Sequence, residues 1–183
     1  MASTSPATRT CLRSLTSASY GLEETLERAN RVLLESTPEN CFVTLALLQL
    51  DPATRLCRYA SCGHSTGYLL DGKGAIKARL HSTVPPLGCL GDFGVDSCPE
   101  FPLEPGDLLL MLTDGVIEAE SPGRQFFGDQ RALEVVRANL HAPAADIVEA
   151  LHQAAREFCQ ADAAQDDITS LVVRVGPTPP SSA

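Results

Sequence analysis

No stretch of this chain approaches the ~18 consecutive apolar residues that a membrane-crossing helix needs, although 44% of its 183 residues are apolar. A membrane partner is therefore not expected. The first residues, Met1-Ala-Ser-Thr-Ser-Pro, lack the basic start and apolar block of a secretion signal, so the expected location is the cytoplasm. Positive charge is also scarce. The 14 Lys and Arg against 23 Asp and Glu leave a formal net charge of −9, the wrong sign for a surface that binds nucleic-acid phosphates. Such an excess of acid suits solubility, or a cluster of carboxylates partly neutralised by cations. No two of the seven cysteines (Cys11, Cys41, Cys57, Cys62, Cys89, Cys98, Cys159) are spaced CxxC, and their count is odd. Reduced, buried thiols are expected rather than disulfides or zinc. Cys57, Cys62 and His64 make no zinc corner, because a fourth ligand at a suitable spacing is missing. Internal repeats are absent too.

What is present reads as helices, then strands, then helices and a last strand. A short helix is expected over residues 8–15. Leu22, Leu26, Ala29 and Leu33, spaced four, three and four, form one face of a second helix ending near Pro38. Residues 42–50 (FVTLALLQL) are apolar on both faces and predict a strand covered on each side. Asp51-Pro-Ala-Thr turns the chain into a partner strand over 56–61, and a second hairpin spans 67–70 and 75–80 about Asp71-Gly72. The Pro- and Gly-rich stretch 83–94 is loop. Strands follow at 97–103 and 107–113, helices at 129–140 and 144–160, and a closing strand at 169–175. This order predicts the α+β class, a layered α-β-β-α sandwich of mainly antiparallel sheets. Residues 1–175 make one domain in this reading, and 176–183 (GPTPPSSA) a disordered tail.

The most informative stretch is LEPGDLLLMLTDGVIEAESPGRQFF, residues 103–127. It drives an apolar strand straight into Asp114-Gly115. An aspartate at such a strand end is fixed in position and expected to be partly dehydrated, which suits a metal ligand or a base. The bland alternative is a turn. Further on, Asp166 and Asp167 open the last strand in mirror fashion, with two solvated acids as the bland alternative. Thr169 is expected to make a local hydrogen bond that positions this turn. Glu118 and Glu120 either reach a cation through water or form a solvated surface. His64 either acts as an acid or has a structural role. Gly63 and Gly67 are expected to permit tight turns, and Gly88 to shape a loop at the cleft rim. His81, His141 and His152 are expected at the surface.

Six segments occur in a definite order: FVTLALLQLD at 42–51, RYASCGHSTGYLL at 58–70, PPLG at 85–88, GDLLLMLTDGVIEAES at 106–121, QFFG at 125–128 and DDITSLVVRV at 166–175. The set resembles the stage II sporulation protein E (SpoIIE) branch of PPM-type, protein phosphatase 2C-like serine/threonine phosphatases. That resemblance implies a helix-flanked β-sandwich holding two Mn²⁺ or Mg²⁺ ions, which activate a water against phosphoserine or phosphothreonine. Oxygen-only ligands suit these hard cations. By position, Asp114 and Asp166 match metal aspartates of the family, with Asp167 beside Asp166; Gly115, His64, Gly63 and Gly88 fall at the site rim. The implied partner is a phosphoprotein, such as an anti-sigma-factor antagonist.

Two further acidic motifs of the family, an early Gly-Asp and a Gly-Asp-x-Ser-Gly-His-Gly-like segment, have no counterpart here. The opening Met-Ala-Ser-Thr followed by Arg9 resembles the middle of the helix after them, so the expectation is a domain truncated at its N-terminus. These 183 residues alone are then expected to have little or no phosphatase activity, since fixing two ions needs shared ligands. An uncovered sheet edge would also favour pairing with another chain, and so an oligomer. Besides a phosphatase, a non-catalytic regulatory binding domain of the same fold and an unrelated α+β binding module remain as readings.

Overall fold

The computed structural model describes residues 13, 20–36, 42–91, 94–95, 97–160 and 168–177. Apart from Arg13, the helix expected over 8–15 lies outside them, as do Cys11, Cys41, the pair Asp166–Asp167 and the tail beyond 177. The chain divides into two compact units, Met1–His64 with His81–Leu103, and Ser65–Leu80 with Glu104–Ala183.

The first unit holds helix α1 (Leu22–Ser36) and a sheet of β1 (Leu45–Asp51), β2 (Leu56–Cys62) and β5 (Glu100–Pro102), in the order β1-β2-β5. Both pairings are antiparallel. Helix α1 forms where the apolar spacing predicts it: Leu22, Leu26, Ala29 and Leu33 are all buried, packing with Ala60, Cys62, Leu87, Val95 and Cys98. Buried Asn30 ties the following loop to the helix. Its amide donates to the carbonyls of Leu90 (3.0 Å) and Gly91 (3.3 Å), and its carbonyl accepts from Gly88 N–H at 2.8 Å.

Strand β1 corrects the expectation of cover on both sides. It lies at the end of its sheet, residues 45–48 are only half-buried, and Gln49, Leu50 and Asp51 are exposed. An apolar run states a preference for burial; it does not say whether the strand is central. The strand expected over 97–103 shortens to Glu100–Pro102.

Burial pushes the thiols of Cys57 and Cys98 up to about 11 and that of Cys62 up to about 12. These three are buried free thiols, as expected. Cys89 departs from the pattern, being exposed, and Cys159 is half-buried.

The second unit holds β3 (Gly67–Leu70), β4 (Ile76–Leu80), β6 (Leu108–Leu112) and β7 (Ser170–Arg174) in the antiparallel order β4-β3-β6-β7. Helices α2 (Asp114–Ile117), α3 (Gly128–Ala138) and α4 (Ala144–Cys159) complete it. The five residues of β6, LLLML, are all buried, which explains why both faces of this strand read as apolar. Leu108, Leu110 and Leu112, two apart and so on one face, join a core with Val116, Phe127, Leu133, Val136, Ile147 and Leu151. Phe127 meets Phe158 edge to face at 5.6 Å. His152 is not a surface residue: it is half-buried, with Nε2 3.2 Å from Ser170 Oγ. Among the described residues, no helix is long and apolar enough to cross a membrane.

Candidate functional site

The central strand of the second unit carries the candidate site at its C-terminal end. Thr113 is still extended (φ −84°, ψ 164°), and helix α2 begins at the next residue. Its single turn is closed by Val116 N–H to Thr113 O (3.0 Å) and Glu118 N–H to Asp114 O (2.7 Å). Fully buried Val116 anchors that turn in the core below. Asp114 therefore opens a helical turn rather than a plain reversal, with Gly115 as its second residue. Its side chain is exposed. The partial dehydration expected of it is thus not found, because Asp114 stands two residues beyond Leu112, where the buried ladder ends.

Both neighbouring strands frame this position. On one side the register Leu112↔Ser170 continues upward: Thr113 N–H donates to Thr169 O at 3.1 Å, and Thr169 N–H donates to Thr113 Oγ at 3.1 Å. Thr169 does position this point, through its backbone and to a residue 56 positions away rather than locally. On the other side the register Tyr68↔Leu110 carries residue 65 toward 113. There Ser65 Oγ donates to Asp114 Oδ1 at 2.6 Å. Reasoning from sequence missed Ser65. The only signal was a small hydroxyl residue beside His64, and its link to Asp114 depends on a strand register that no local pattern displays.

Glu118 and Glu120 are exposed, in keeping with a solvated surface. Gly63 has φ +66°, and a Cβ there would meet Pro86 Cγ at 2.4 Å, so it is a turn glycine in the first unit as expected. Gly67 is different. Its φ is not positive; a Cβ there would lie 2.3 Å from Met111 Sδ and 3.1 Å from Leu110 O, so it permits close approach of β3 to β6 instead of a turn. Gly88, with φ +85°, is the loop residue bonded to Asn30 in the first unit. His64 is half-buried at the end of the first unit.

Among the described residues no three His, Cys, Asp or Glu side chains gather closely enough to hold a cation. Asp114 nonetheless suits one. It is an exposed carboxylate whose Oδ1 accepts from Ser65, and it is hard-oxygen chemistry of the kind Mg²⁺ and Mn²⁺ prefer.

The fold is that of PP2C-like phosphatase domains. The PP2C phosphatase domain of SpoIIE from Bacillus subtilis, solved with a fragment of its regulatory domain, superposes with TM-score 0.80 at 21% identity, over 94% of this chain and 50% of that one. The phosphatase domain of the same protein, presoaked with Mn, gives 0.65 at 19% identity, over 98% of this chain and 78% of that one. RsbX in complex with magnesium gives 0.62 at 17% identity, over 91% and 71%. These likenesses bear out the α+β sandwich class with mainly antiparallel sheets. Residues 2–176 match the family Stage II sporulation protein E (SpoIIE), and the chain belongs to that family. It is 34% identical over 134 residues to protein IcfG of Synechocystis and 24% identical over 158 residues to stage II sporulation protein E of Bacillus subtilis. These matches take in 72% and 85% of this chain but only 20% and 18% of those proteins, so the chain spans about a fifth of their length.

Proposed function

We propose that this domain serves hydrolysis of phosphoserine or phosphothreonine on a protein, with Asp114, Asp166 and Asp167 contributing to the binding of Mn²⁺ or Mg²⁺ and full turnover needing the acids of the family's two upstream motifs as well. The observation that carries this reading is the pairing of Thr113 with Thr169. Asp114 follows Thr113 directly, and Asp167 precedes Thr169 by two residues. In the sequence the three acids thus stand within one to three residues of the two partners of one backbone pairing, which supports a shared cation site. When bound, the cations would activate a water near neutral pH and offset charge on the phosphoryl oxygens.

The chain's own contribution is positional. Buried β6 fixes the height of Asp114, the turn anchored by Val116 fixes its direction, and Thr113 beside it is paired with Thr169 of the last strand segment. The substrate in this reading is a phosphorylated signalling regulator, such as an anti-sigma-factor antagonist, which suits family membership. Titration calorimetry with Mn²⁺ tests the reading directly. Asp114→Ala is expected to weaken binding by tenfold or more, on the order of what loss of a ligand or its supporting group costs, and Asp166→Ala to do the same. Unchanged Mn²⁺ affinity in Asp114→Ala would falsify the assignment.

A further inference from the structure

We propose that Ser65 is a positioning residue for the Asp114 carboxylate: its hydroxyl holds Oδ1 so that the other carboxylate oxygen is presented to a divalent cation. This rests on the metal-site reading above and adds a residue to it.

The contact is short. At 2.6 Å, Ser65 Oγ to Asp114 Oδ1 lies in the range of hydroxyl–carboxylate bonds strengthened by the negative charge. It joins residues 49 positions apart, so it belongs to the fold and is no accident of neighbouring sequence. An exposed aspartate without such a partner samples several staggered rotamers, only some of which aim the carboxylate at a given point. Here one oxygen is engaged and the set of orientations is narrowed before any cation arrives. Among the described residues, Asp114 Oδ1 accepts this bond from a side chain that brings no charge of its own. A lysine or arginine in that place would compete with the cation, whereas serine orients the carboxylate without opposing it.

The backbone explains why serine can reach. Gly67, two residues on, lets β3 approach β6 closely, since a side chain there would collide with Met111 Sδ and crowd Leu110 O. Tyr68↔Leu110 and Leu69↔Leu109 then hold β3 in register against β6, and Ser65 comes level with the top of the central strand. Ser65 and Asp114 belong to the same compact unit.

The test compares Ser65→Ala, Ser65→Thr and Asp114→Ala with the unaltered chain, measuring Mn²⁺ affinity by calorimetry and thermal melting without metal. Ser65→Ala is expected to weaken Mn²⁺ binding on the order of tenfold, the scale on which groups that orient a ligand act. Ser65→Thr, which keeps the hydroxyl, should return affinity to within about twofold of the original. The metal-free melting temperature should move little, because a substitution at this half-exposed site removes no core packing. If Asp114→Ala weakens binding and Ser65→Ala does not, the positioning role is wrong while the metal-site reading stands. If neither variant weakens binding, both fail. A Ser65→Ala loss accompanied by a large fall in metal-free melting and not rescued by threonine means that Ser65 is only structural, which also overturns the proposal.

Discussion

Replacing Lys77 by methionine is expected to cost about 3 kcal/mol of stability, because it strands a buried carboxylate. Asp107 is 1% exposed, and Lys77 Nζ lies 2.7 Å from its Oδ2. Among the described residues, the compensation left would be the Glu104 N–H, which donates to the same oxygen at 2.9 Å. That bond, and the partial exposure of Lys77 itself, hold the cost to the lower end of the usual range for a broken buried pair. For a domain of this size the loss corresponds to roughly 6–12 °C in melting temperature. The double variant Lys77→Met with Asp107→Asn should recover part of it, since the charge left unpaired is then gone. Equal melting of the single and double variants would show that the cost lies in lost packing of the lysine stem.

The same pair sets a pH dependence. Its hydrogen bond to Asp107 raises the Lys77 pKa above the ordinary lysine value. A raised folded-state value means that the pair's contribution is complete below the unfolded lysine pKa, about 10.4. It is lost as pH rises through the higher folded value. Between neutrality and pH 9 the contribution of Lys77 should stay constant.

Gly63→Ala is expected to be comparably damaging, for a steric reason. The backbone there has φ +66°, where an L-residue costs about 1–2 kcal/mol. The added methyl would also press on the rigid ring of Pro86, with Cγ at 2.4 Å, and overpacking of that kind adds about 1–3 kcal/mol. A total near 3 kcal/mol is expected, read as a lowered urea midpoint. Gly91→Ala is the control. Among the described residues nothing lies within 4 Å of its Cβ position, and its φ is not positive, so its midpoint should hardly move. If Gly63→Ala melts like the control, the close packing of residue 63 on Pro86 is wrong.

The sequence made the periodic elements legible and hid those defined by their partners. Leu22, Leu26, Ala29 and Leu33 announced α1, and Ile147 and Leu151 announced α4, because one buried stripe imposes a 3.6-residue rhythm. On α4, Ala155 is fully buried as well, while Ala154 and Phe158 pack half-buried against the same core. Strand β6 was legible from its leucines. Helix α2 was not, since four residues are too few to display a period. The edge position of β1 was equally hidden, because rank within a sheet depends on pairing and leaves no local mark. Asp114 stood out by its place after an apolar strand, and the ordered motifs gave the family. Ser65 and the Thr113–Thr169 clamp could not be read, each being a contact between residues about fifty positions apart.

That clamp has a consequence for how the molecule is made. A ribosome adding about 5–20 residues per second releases Asp114 roughly 3–11 s before Thr169 exists. During that interval the nascent Leu108–Leu112 strand has only its β3 neighbour, and its other edge is open to chaperones or to a second emerging chain. The Thr113–Thr169 pairing is therefore among the last features to form, and a ribosome that stalls short of Thr169 leaves an unfinished sheet with one apolar strand edge open.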